Sequence, residues 1–60
     1  MVTYRIYKNG TLYKEHKDQF GDICVYMTLH KAQSQSLDWA LKNGWKVVEQ
    51  DQETGIETEW

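Results

Sequence analysis

The sequence predicts a small α+β fold, an antiparallel β-sheet with one helix packed on one face, spanning residues 1–60 as a single domain. Three observations predict it. Asn9-Gly10 separates two runs rich in β-branched and aromatic residues, the strongest short-range signal for a β-hairpin. Leu37, Ala40 and Leu41 have helical spacing, and the segment that holds them runs into Asn43-Gly44, where a glycine suits a left-handed cap. Trp45 to Glu49, with Trp45, Val47 and Val48 in five residues, reads as a further strand after the helix.

Val2 to Tyr7 and Thr11 to His16 form the hairpin. A two-residue loop would set Arg5 against Lys14. A three-residue loop with Gly10 left-handed pairs Arg5 with Tyr13 and Ile6 with Leu12, avoids the like-charge pair and gathers Tyr4, Ile6 and Leu12 on one face, so it is preferred. Lys17 to Asp22 reads as a loop whose Phe20 folds back on the core. Ile23 to Met27 reads as a third strand, apolar on both sides and therefore central. The helix after it starts either at Leu29, capped by Thr28, or later, capped by Ser34 or Ser36 with Asp38 in its first turn. Leu37, Ala40 and Leu41 share its inner face, and Trp39 projects from the opposite side. Trp45 to Glu49 is a fourth strand. Gly55 closes a turn into a possible fifth, Ile56 to Trp60, which places Ile56, Thr58 and Trp60 on one face and Glu57 and Glu59 on the other. The order is β-β-β-α-β with a possible last strand.

Length bounds the function. The chain has 60 residues, one cysteine and no proline, too little material for a water-shielded cleft with supporting groups, so an enzyme is not expected. Cys24, His16 and His30 lack zinc-site spacing, so no metal is expected, and the four glycines form no phosphate-binding motif, so neither is a cofactor. Met1 to Lys8 alternates polar with apolar and does not resemble a secretory leader; with a single cysteine, this points to a cytoplasmic protein. A small core without a disulfide favours self-association, and a homodimer is expected.

Charge is unevenly spread. Residues 1–48 hold all 7 cations and 4 acids, hence +3; residues 49–60 hold 5 acids and no cation, hence −5. A chain this short cannot easily bury three tryptophans, so at least one belongs at a contact. These two features make Trp39, Glu53, Glu57, Glu59 and Trp60 the candidate partner-binding residues. The alternative site is on the hairpin. There Tyr4, Arg5, Tyr7, Tyr13 and Lys14 interleave aromatic and basic groups, suited to stacking on a base while meeting phosphate, as in a nucleotide sponge or a nucleic-acid binder. Tyrosine and lysine alternating on an edge hairpin are also ordinary strand chemistry.

The hairpin Thr3 to His16, the segment Asp22 to Thr28, the stretch Ser36-Leu37-Asp38-Trp39-Ala40-Leu41-Lys42-Asn43-Gly44-Trp45-Lys46-Val47-Val48 and the acidic end together resemble the short proteins that bacteriophages make to disable or redirect host machinery. The resemblance implies a non-enzymatic inhibitor or adaptor that binds one host or defence protein. That group shares no sequence motif, so the resemblance assigns no residue a role.

Overall fold

A computed structural model describes residues 1–17 and 20–60. Its elements are β1 (Val2–Lys8), β2 (Thr11–His16), α1 (Gly21–Gln33), α2 (Leu37–Lys42), β3 (Trp45–Asp51) and β4 (Glu57–Glu59). The four strands make one antiparallel sheet in the order β2-β1-β3-β4, with both helices on one face.

The hairpin forms at Asn9-Gly10, both with positive φ (50° and 84°), as a two-residue turn of this kind demands. Lys8 faces Thr11 and Tyr7 faces Leu12, so the loop is the shorter of the two registers. The like-charge pair is still avoided, by a different device. The ladder shifts between Tyr7 and Ile6, so that Ile6 faces Lys14 and Arg5 faces Glu15, leaving Tyr13 as an extra residue in β2. Leu12 consequently sits with Tyr7 on the open face of the sheet, half exposed, and not with Tyr4 and Ile6.

The expected third strand is a helix. Ile23 to Thr28 lie within α1, and the inward residues Gly21, Val25 and Leu29 recur every four positions. Alternation misleads here because apolar residues occur all round this segment, so period two fits it as well as period four. Its N-cap is Phe20, whose own side chain makes no capping hydrogen bond, and a left-handed Ser34 (φ 54°) ends it. Of the expected loop over residues 17–22, Gly21 and Asp22 are helical, residues 18 and 19 lie outside the described residues, and Phe20 is 58% exposed instead of folded into the core. Thr28 therefore caps nothing. The second helix is short and starts where Ser36 accepts the Trp39 N–H at 3.1 Å, with Asp38 in the first turn. The described residues thus form two helices and four strands, and the last strand pairs over Glu57–Glu59.

Ile6 and Val47, directly opposed on β1 and β3, form the sheet's half of the core with Trp45. Val25 and Leu29 of α1 and Ala40 of α2 cover them, and Tyr4, Leu37, Leu41 and Trp60 seal the edges. The closest approach is at Gly21, where any Cβ would run into the ring of Tyr4. Gly21→Ala should therefore destabilise the protein. Overpacking costs about 1–3 kcal/mol, which exceeds the gain of about 1 kcal/mol from replacing a helical glycine, so a thermal melt should show a midpoint lower by several degrees. A midpoint equal to or above that of the parent would contradict the packing of α1 on Tyr4.

Candidate functional site

The two sheet faces differ in kind. Helices cover one. On the other, Arg5, Tyr7, Lys46, Val48, Gln50, Glu57 and Glu59 lie uncovered. Here Arg5 bonds Glu15 at 2.9 Å and Gln50 at 3.1 Å and reaches Glu57 at 3.7 Å, while Lys46 reaches Glu59 at 3.7 Å. A shallow concavity of about 520 Å³ lies among Tyr7, Gly10, Lys46, Val48, Glu57 and Glu59. The acids of β4 are thus partnered by cations from β1 and β3, and the face is a lattice of mutually satisfied charges. The hydrogen bond from Arg5, with help from Lys17, holds the Glu15 carboxyl below the ordinary glutamate value of 4.5 against a smaller opposing desolvation.

The second surface lies between β2 and α1. Tyr13, Lys14 and His16 form one wall of a groove of about 270 Å³, and Cys24, Met27, Thr28 and Lys31 form the other. The bulge builds it. Lys14 and His16 point to the helix side through their pairing with Ile6 and Tyr4, and the extra residue lets Tyr13 point there too, its ring edge-on to Trp45 at 5.1 Å. On α1 the spacing of positions 24, 27, 28 and 31 lines up one helical stripe. His16 and Thr28 join the walls by a 3.1 Å hydrogen bond. Beyond Met27 the same side of the helix carries Ile23 and then Phe20, so Tyr13, Phe20, Ile23 and Met27, each half exposed or more, form a run of apolar surface.

The partner-binding candidates do not converge. Glu57 and Glu59 share the open face with Arg5 and Tyr7; Glu53 is in the β3–β4 turn, where its N–H donates to Asp51 at 2.8 Å; Trp39 projects from α2, 43% exposed. Trp60, expected at a contact, is held inward: its ring meets Tyr4 at 5.9 Å and Tyr26 at 5.5 Å, and its Nε1 donates to Glu49 at 3.0 Å. The hairpin candidates are divided as well. Tyr4 is in the edge of the core, where burial and then Glu49 and Asp22 push its pKa up; Arg5 and Tyr7 face the open side, and only Tyr13 and Lys14 meet in the groove. Sequence reading missed Met27 and Lys31 as groove residues because it took their segment's start for a strand. The spacing Ile23-Met27-Lys31 was the available signal.

Among the described residues no group of three or more His, Cys, Asp or Glu could hold a metal ion, and no helix is long and apolar enough to cross a membrane. Comparison of the chain with protein-family models, curated proteins and solved structures finds no match in any of the three.

Two measurements check this geometry. The Glu15 carboxyl, followed by NMR, should titrate below 4.5 and move up toward that value in Arg5→Gln. Since its pKa is lowered by folding, its contribution is present above the unfolded value and lost as pH falls through the folded one, so Glu15→Gln should flatten the acid limb of a stability curve. Trp60→Ala should cost about 2–3 kcal/mol, somewhat less than a fully buried aromatic, and denaturant titration would show it as a clear loss of midpoint. An unchanged midpoint would return Trp60 to the list of contact residues.

Proposed function

We propose that this protein works without catalysis, by binding another protein through the α1–β2 surface, in the manner of the small phage-encoded inhibitors and adaptors that its sequence resembles. The observation that carries the reading is the run of Tyr13, Phe20, Ile23 and Met27, four large apolar side chains between 50% and 58% exposed on adjoining elements. In so small a fold, exposed apolar side chains gathered on one side mark a place where water is displaced on association. The open sheet face supports the same choice by contrast: its charges are partnered within the molecule, and exposed ion pairs of this kind mainly keep a surface solvated. The acidic end is a weaker choice of contact surface for the same reason, since Glu57 and Glu59 are compensated by Arg5 and Lys46. The stacking platform expected of the hairpin is weakened by the division of its tyrosines between the two faces of the sheet.

Ile23→Asp with Met27→Asp should leave the far-ultraviolet circular dichroism unchanged, because both side chains already face solvent. In cross-linking from Lys14 and Lys31 within the native cell, the parent should yield one dominant protein partner, and the double variant should lose it. Retention of that partner by the folded double variant would refute the assignment.

A further inference from the structure

The groove between α1 and β2 also carries a charge signature that identifies what kind of partner fits it; this rests on the reading of that surface as the protein-binding one. Of the chain's 7 cations, Arg5, Lys17, Lys42 and Lys46 stand in ion pairs, and Lys8 lies 5.3 Å from the centre of the Trp45 ring. Lys14 and Lys31 are the two that have no such partner among the described residues, and both line this groove, one on each wall. Between them run Tyr13 and Met27, continued along α1 by Ile23. A protein with net charge −2 therefore concentrates around this apolar groove the two lysines that have no such partner among the described residues.

We infer that the groove receives an amphipathic helix whose apolar stripe is flanked by carboxylates. The apolar stripe would cover Ile23, Met27 and Tyr13, and carboxylates on its two borders would meet Lys14 and Lys31. Apolar residues recurring along one helical stripe opposite a second wall are the geometry of helix-in-groove recognition. α1 has 13 residues, so the platform extends roughly 20 Å, room for about three or four turns of a partner helix. Addition of a partner strand to the outer edge of β2 is disfavoured, because the Tyr13 bulge interrupts the ladder and Lys14 follows it. A small phosphorylated ligand would use the two lysines but would leave Ile23 uncovered, and the apolar continuation along α1 favours the longer occupant.

The test uses the full chain and two synthetic peptides of about 18 residues, long enough to hold helix in water, that share one leucine stripe and differ only in glutamate or lysine borders. Backbone NMR shifts locate binding. The acidic peptide should bind about tenfold or more tighter than the basic one, shift Tyr13, Met27 and Lys31, and lose its advantage between about 0.05 M and about 0.5 M salt. Unspecific attraction would give the reverse order, because the chain is net negative. Lys14→Gln with Lys31→Gln should make the two peptides equal. If the peptides already bind equally to the parent, or the acidic one keeps its advantage in the lysine variant, the acidic partner is overturned, whereas the protein-binding reading stands or falls separately with Ile23→Asp and Met27→Asp. Adenosine monophosphate or inorganic phosphate bound in the groove as tightly as the acidic peptide would overturn the inference in favour of a phosphate ligand. A dimer in sedimentation, with cross-links between copies at Met27 or Lys31 neighbours, would overturn it in favour of a second copy of the chain.

Discussion

The pairing of β1 with β3 is the constraint on which the rest of this structure depends. It joins residues 2–8 to residues 45–51 along seven consecutive pairs, with Ile6 against Val47 at its middle. β2 is attached to the outer side of β1 by a tight turn and β4 to the outer side of β3, so each peripheral strand inherits its position from the central pair. The segment leaving β2 must therefore cross over β1 to enter β3, and that crossing contains both helices. One face of the sheet is covered because the chain has to pass over it, and the other is open because nothing passes there. The Asn9 N–H, donated to the Gly44 carbonyl at 2.7 Å, ties the hairpin turn to the end of the crossing.

What could be read from the residues alone was local. Asn9-Gly10, the Ser36 cap and the Gly44 turn each act through backbone geometry within a few residues, and all three lie where their chemistry requires. The alternation of Glu57, Thr58 and Glu59 likewise becomes a strand with its acids on one side. α1 was illegible because its inward and outward sides are both apolar: the inward set serves the core and the outward set, Ile23 and Met27, the exposed surface, so neither period stands out. The register of the hairpin shows a different limit. Facing Arg5 with Lys14 is avoided, but a turn and a bulge both avoid it, and the bulge also brings the Tyr13 ring against Trp45, a contact far away in sequence. The groove depended on both of these points and so was not visible beforehand.

The charge map changes once the strands are paired. The acidic end looked like a separate block of like sign, yet Glu57 and Glu59 are set beside Arg5 and Lys46 by the sheet, Glu49 holds the indole of Trp60, and Asp51 accepts from the N–H groups of its own turn at 2.8 and 3.3 Å. Sequence distance separates these charges and the fold mixes them. The tryptophans redistribute in the same way: Trp45 is buried at 5% exposure, Trp60 closes the gap between Tyr4 and Tyr26, and Trp39 is left outside. Three large rings in a small protein are thus divided among core, seam and surface.

Tyr13 occupies a position with an unusual freedom. Every other residue of β2 stands opposite a residue of β1, and removing any one of them would displace the partners beyond it. Removing the extra residue would leave Tyr7 facing Leu12, Ile6 facing Lys14 and Arg5 facing Glu15 as they are. The hairpin therefore does not need this residue to be a hairpin. What it supplies is a second consecutive side chain on the helix side of the edge strand, where strict alternation would allow only one. Its side chain packs against Trp45 and adds a wall to the groove, and the ladder itself has no use for it.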